Sequence, residues 1–333
     1  MSALVQALWR PAAGLDLEVT RAFRRSVEVV WPALVEPARL CQWMGVEWLG
    51  DETPLSEGAR FDYRFANTDL ESRGHVLRLE PKRLFQHSWF ENIPPTTIVT
   101  WRLDPTPEGC RLTLTQQNGA LDDAPRTATG WTMLLESLAA SLGEGEAPSG
   151  DRVAWHATRD RYARDFPPQA SRDGRRVEVD GVKGLRFVRW LPSPPDKVWA
   201  TLTKPESLTV WLRARAQIEP RVGGRFHLVL GEGASIVPGE VIDWDPPRRL
   251  EITWPEPGTT GTGGSTLAFD LEPTPQGTKL TLTHLLPGGG DDVGFASGWH
   301  WHLDALGSAL EGAAPALDER RWRALNGIYA ATL

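Results

Sequence analysis

Val30-Trp31-Pro-Ala-Leu34-Val-Glu-Pro37-Ala-Arg-Leu40-Cys-Gln-Trp43 returns as Val198-Trp199-Ala-Thr-Leu202-Thr-Lys-Pro205-Glu-Ser-Leu208-Thr-Val-Trp211, a shift of 168 residues that keeps two tryptophans, two leucines and a proline in step. Working outward, Gly58-Ala-Arg-Phe61 answers Gly223-Gly-Arg-Phe226 at a shift of 165, so three residues are lost from a loop between Trp43 and Gly58. That register holds through Gly74/Gly239, Pro81/Pro246 and Trp89/Trp254. It returns to 168 for Leu103-Asp-Pro-Thr-Pro-Glu-Gly109 against Leu271-Glu-Pro-Thr-Pro-Gln-Gly277 and for Gly130-Trp131 against Gly298-Trp299. Rare residue types do not stay aligned over such a span by chance, so the chain is a tandem duplication.

Each copy reads as α+β. Leu15, Leu17, Val19 and Phe23 alternate with polar residues as in a half-buried strand, and Leu185, Phe187 and Leu191 repeat them. A helix follows, entered in the second copy through Ser193-Pro-Pro-Asp196, an N-cap with prolines in the first turn. Pro37 and Pro205 end it and start a second short helix. Antiparallel strands come next, near residues 47–50, 59–65, 74–79, 84–89, 97–103 and 110–116, the last two joined by a turn over Asp104–Gly109. Trp131, Leu135, Leu138 and Leu142, copied as Trp299, Leu303, Leu306 and Leu310, then form the apolar stripe of a long closing helix. The expected fold is therefore two tandem helix-grip domains, each a curved antiparallel sheet around a long C-terminal helix. The first spans residues 1–170, with core 15–143 and a tail helix at about 151–166; the second spans 171–333, with core 185–312 and a tail helix at about 316–330.

Composition narrows the function. A net charge of -7 argues against nucleic acid, whose phosphates require clustered Lys and Arg. No basic start precedes an apolar stretch and no apolar run approaches 20 residues, so neither a leader nor membrane insertion is expected. Two cysteines, Cys41 and Cys110, cannot build a disulfide framework, and a cytoplasmic location is the expectation. Sixteen tryptophans are an excess that either fills cores or lines apolar cavities.

The Val-Trp-x-x-Leu helix, the Pro…Leu…Trp after it, the Gly-x-Arg-Phe strand entry and the final Gly-Trp-x-x-x-Leu-x-x-Leu helix resemble the START-like, Bet v-type helix-grip (SRPBCC) superfamily. Within it, they resemble the branch homologous to the activator of heat-shock-protein-90 ATPase. The resemblance covers roughly residues 15–143 and 185–312 and implies a fold and a cavity, not a reaction.

Strand phase nominates residues that face such a cavity. Phe85, His87 and Trp89 share one face, as do Leu250, Ile252 and Trp254; His75 goes with Leu77 and Leu79, and Glu240 with Ile242 and Trp244. Gln116 and His284 extend the inward faces of the last strands, while Arg21 and Arg189 fall in the apolar phase of the first and read as side chains that either reach water at strand ends or form a satisfied buried pair. Trp101 and Phe269 from the neighbouring strands, and Leu134, Leu138, His302 and Leu306 from the closing helices, complete the candidate lining. His300 and His302, two apart on a helix, point about 200° apart and cannot chelate one ion, so no metal is expected. The glycines Gly261–Gly264 and Gly288–Gly290 read as flexible loops rather than phosphate cradles. No Walker loop, Rossmann fingerprint, Gly-x-Ser-x-Gly elbow or His-Glu-x-x-His occurs, and no cofactor is expected. Binding of a small apolar or amphiphilic molecule without catalysis is the leading expectation. The alternatives are a co-chaperone-like module that engages a chaperone, or a hydrolase or cyclase using cavity His or Glu. The polar lining further predicts unequal cavities, the first able to gain positive charge near neutral pH through His75 and His87, the second carrying a carboxylate at Glu240 and adding His284 in place of Gln116; if burial dominates, the histidines stay neutral.

Overall fold

The computed structural model describes residues 6–10, 16–50, 54–66, 70–93, 95–117, 123–230, 235–254, 264–315 and 318–333. Leu15, part of the three-residue loop difference, and Gly261 to Gly263 lie outside the described residues. The chain divides into two compact units between Ser171 and Arg172. Among the described residues no helix is long and apolar enough to cross a membrane.

The first unit runs β1 (Gln6–Arg10), β2 (Asp16–Phe23), α1 (Val27–Val35), α2 (Pro37–Met44), β3 (Val46–Trp48), β4 (Tyr63–Phe65), β5 (Glu71–Ser72), β6 (Val76–Glu80), β7 (Leu84–Trp89), β8 (Thr97–Thr106), β9 (Gly109–Gln117), α3 (Ala124–Ser141) and α4 (Arg152–Asp165). Its antiparallel sheet has the order β1-β2-β9-β8-β7-β6, with β3-β4-β5 as a separate three-stranded sheet. The second unit repeats the order as β10 (Arg175–Val179), β11 (Val182–Leu191), α5 (Pro195–Thr203), α6 (Pro205–Leu212), β12 (Ala214–Ile218), β13 (Arg225–Leu230), β14 (Ser235–Asp245), β15 (Arg249–Trp254), β16 (Ser265–Thr274), β17 (Gly277–Leu285), α7 (Asp292–Leu310) and α8 (Glu319–Thr332). Here one eight-stranded sheet, β10-β11-β17-β16-β15-β14-β13-β12, is continuous because β14 pairs with both β13 and β15.

Three local expectations change. The segment before residue 184 holds an edge strand, β10, rather than only linker; its charged Arg175-Arg-Val-Glu-Val179 has the composition that keeps an exposed edge from aggregating. An equivalent β1 precedes the first strand of copy one. Helix α5 takes Pro194, not Ser193, as its N-cap, and the Ser193 carbonyl instead accepts from the Thr278 hydroxyl at 2.7 Å. The Asp104–Gly109 turn is tighter than a six-residue loop, since the ladder continues to the Thr106/Gly109 pair. Gly109 and its counterpart Gly277 sit at φ of +152° and +141°, and a Cβ on either would strike a carbonyl oxygen at 2.3 or 2.1 Å, so only glycine fits.

Each closing helix is capped by an aspartate side chain, Asp123 accepting from Arg126 N–H at 2.8 Å and Asp291 from Gly294 N–H at 2.9 Å. Trp131, Leu135 and Leu138 of α3, and Trp299, Leu303 and Leu306 of α7, are buried. A polar tie binds helix to sheet as well. In copy one Arg21 of β2 pairs with Glu136 of α3, and Thr132 meets the Tyr162 hydroxyl of α4 at 2.7 Å. In copy two Arg189 of β11 reaches Asp304 of α7 at 3.5 Å, joined by Arg172 at 2.6 Å and by Arg321 of α8. His300 of α7 meets the Tyr329 hydroxyl at 2.8 Å. The arginines in the apolar phase are thus partnered inside the fold.

Candidate functional site

Between sheet and closing helix, His87, Trp101, Gln116 and His284 lie buried and bond to neighbouring side chains. In copy one the Trp101 indole N–H donates to His87 Nε2 at 3.2 Å, while His87 Nδ1 donates to the Ser88 carbonyl at 3.0 Å. Both imidazole nitrogens are therefore engaged. The Trp131 indole donates to Gln116 Oε1 at 2.6 Å. Around them the rings interlock: Trp101 stands edge-on to Trp131 with centroids 5.3 Å apart, Trp89 lies 4.9 Å from Trp131, and Phe61 lies 4.3 Å from His87.

Copy two substitutes one acceptor for another. Trp299 donates to His284 Nδ1 at 3.0 Å, the place where Trp131 meets Gln116. His284 Nε2 donates to Ser265 Oγ at 2.9 Å, whose hydroxyl donates to the Trp254 carbonyl at 2.5 Å. Trp254, Phe269 and Trp299 close over the remaining space of about 10 Å³. That is room for one water at most. His302 donates to the Trp211 carbonyl at 3.0 Å, and its copy-one counterpart Leu134 is half-buried. Leu138 and Leu306 are fully buried. His300 faces Tyr329 and Asp304, so the two histidines of α7 turn to different partners.

Burial pushes His87 and His284 down to about 4, so both are neutral at pH 7. The expected positive charge of the first cavity is thereby corrected. His75 and Glu240 are corrected as well: neither lines an interior. The His75 side chain is 48% exposed and lies 3.0 Å from Glu91, and Glu240 is exposed. The reason is a bulge, between Val76 and Arg78 in β6 and between Val241 and Asp243 in β14. An extra residue reverses the alternation of sides, so Val76 and Val241 face inward in their stead. Trp244, opposite the inward Leu250, stays half-buried and packs edge-on against Trp199 of α5, centroids 5.1 Å apart at 72°.

The roomy apolar space lies elsewhere, in a cleft of about 800 Å³ in copy one. Trp31 and Val35 of α1 and Cys41 of α2 form one wall; Trp48, Leu55 and Leu79 form the other, with Pro32, Pro37, Pro54 and Pro81 along its edges. Burial raises the Cys41 thiol above its ordinary value. Phase counting within single strands missed this site because it is built between elements. One difference was legible: the aligned positions 79 and 244 hold a leucine and a tryptophan, while Trp31 and Trp199 are alike.

The family described as "Activator of Hsp90 ATPase homolog 1-like protein" matches residues 24–143 and again 192–311. Among solved structures, CalU16 from Micromonospora echinospora is 26% identical, with 49% of this chain and 96% of that one covered at a TM-score of 0.40. Protein MLL2253 from Mesorhizobium loti is 26% identical over 39% of this chain and 97% of its own, at a TM-score of 0.35. DynU16, of the dynemicin biosynthetic locus, is 19% identical, covering 97% of this chain and 95% of its own at a TM-score of 0.36. No curated protein matches the chain significantly.

Proposed function

Because this chain belongs to the Activator of Hsp90 ATPase homolog 1-like protein family and carries its domain twice, we propose that it works by binding, taking a small apolar or amphiphilic molecule into the cleft of its first domain. The cleft's volume of about 800 Å³ and its Trp, Leu, Val and Pro walls carry the reading. Small-molecule sites generally span roughly 300–1,000 Å³ with such linings. Binding is favoured over acid-base catalysis because His87 and His284 each have both ring nitrogens engaged, leaving no lone pair for a reacting proton.

The test is to titrate the full chain with a panel of hydrophobic small molecules and follow tryptophan emission. Saturable quenching that Trp31→Ala and Trp48→Ala weaken supports the reading. Unchanged emission, together with stimulation of an Hsp90 ATPase, replaces it with the chaperone-module alternative.

A second reading keeps a site inside the first domain. The buried Trp89 indole N–H finds no acceptor among the described residues, although Trp101 and Trp131 beside it each have one. An amphiphile entering there would supply that acceptor, removing the cost of about 1–3 kcal/mol of an unmade buried bond. Trp89→Phe would then weaken binding of an alcohol while sparing its hydrocarbon.

A further inference from the structure

We infer that the molecule held by the first-domain cleft is a flat, neutral aromatic of indole to naphthalene size, and that the second domain fills the equivalent place with its own Trp244. This rests on the cleft being a binding site, as proposed above. Leu79 and Trp244 are equivalent by structure as well as by alignment. Each follows the bulge of its strand, pairs with the first inward residue of the next strand (Phe85 or Leu250), and precedes a proline by two residues, Pro81 or Pro246. Trp31 and Trp199 are likewise equivalent on α1 and α5.

In the second domain the indole of Trp244 stands edge-on to Trp199, 5.1 Å between centroids. The positive edge of one ring meets the negative face of the other, an arrangement aromatic quadrupoles prefer. In the first domain Leu79 replaces that ring, and among the described residues no ring packs on Trp31. What remains is a half-exposed indole in an apolar cleft, lacking the partner its copy possesses. Charge does not redirect the choice, because Glu36 at the cleft is held by Arg39 at 2.6 Å. A neutral ring therefore completes the first domain as Trp244 completes the second.

Naphthol and its saturated counterpart decahydronaphthol have the same skeleton and hydroxyl but differ in aromaticity. Calorimetry on the full chain should show one naphthol site, with decahydronaphthol about fivefold weaker, as one aromatic contact implies. Naphthol should also protect Cys41 from N-ethylmaleimide; Cys110 is fully buried and stays silent. Leu79→Trp should abolish binding by building the plug of the second domain into the first. Trp244→Leu should create a second site, and Leu79→Ala should retain the first. Equal affinity for the two ligands, with Cys41 protected by both, overturns the aromatic inference and leaves the small-molecule reading standing. Failure of both to bind or to protect Cys41 overturns that reading too. A single site in Trp244→Leu overturns the claim of a built-in occupant, even if Leu79→Trp fails to fold.

Discussion

The two domains tie the closing helix to the first strand at the same positions but with different amounts of charge. Arg21 and Arg189 sit at one place on β2 and β11, and Glu136 and Asp304 at one place on α3 and α7. In the first domain the tie is one ion pair whose acid is 32% exposed, and its neighbour is an uncharged contact between Thr132 and Tyr162. In the second, Asp304 is 6% exposed and faces Arg172, Arg189 and Arg321, with His300 where the first domain has Thr132. Burial by itself would raise the Asp304 carboxyl, but Arg172, Arg189 and Arg321 hold it well below the ordinary range. Burial among those arginines keeps His300 neutral, well below its usual value. The comparison teaches that duplication preserved a geometric frame while the depth of burial set how much compensation the frame required.

That contrast can be broken most sharply at Asp304. Asp304→Ala removes the carboxylate that faces two buried guanidiniums, Arg189 and Arg321, and should cost the second domain about 3–5 kcal/mol. Glu136→Ala, relieved by water, should cost the first about 1–3 kcal/mol. Urea unfolding of the full chain measures both, and equal losses would show that burial does not separate the two ties.

Next in size are the helix anchors. Leu138→Ala and Leu306→Ala remove equivalent, fully buried side chains from α3 and α7. Each should cost about 2–5 kcal/mol, the range for large-to-small changes at buried positions. A loss within the usual surface range in one domain alone would mean that its helix is gripped loosely, which differential unfolding would reveal.

The smallest effect concerns acid. Burial holds His284 near 4 in the folded chain, against about 6.5 when unfolded. As pH falls from about 6.5 toward 4, the unfolded state takes a proton that the folded state refuses, so stability is lost. His284→Gln should keep the Trp299 hydrogen bond, as Gln116 does for Trp131, and remove this loss. Between pH 7 and pH 5 the variant should lose about 1–2 kcal/mol less than the native chain, read from urea midpoints. An unchanged pH dependence would mean that His284 does not stay neutral in the folded state. The mirror change, Gln116→His, should add acid sensitivity to the first domain.

Much of the interior was readable residue by residue. His87, Trp101, Gln116, His284 and Phe269 lie inward as strand alternation implies, and Trp131 and Trp299 follow from helical spacing. His75 and Glu240 were not, because alternation counts residues and a bulge adds one without leaving a mark in composition. The cleft escaped for a different reason. Trp31, Cys41, Leu55 and Leu79 come from four segments, and no periodicity within one of them records how the others stand.

By itself the amino-acid sequence determined the duplication, the order of elements, the helix-grip fold and the stripes of Trp and Leu on the closing helices. These rest on local periods of about 2 and 3.6 residues and on proline and glycine punctuation, which act over a few neighbours. Tertiary structure alone decided which polar groups satisfy one another and where open space remains. Trp131 finds Gln116, Arg189 finds Asp304, and Trp244 covers Trp199 while Leu79 leaves Trp31 bare. Each of these depends on how separate elements meet, across 15 to 115 residues of sequence. Their meeting depends on how layers pack, and packing is a property of volumes and distances that no single segment contains.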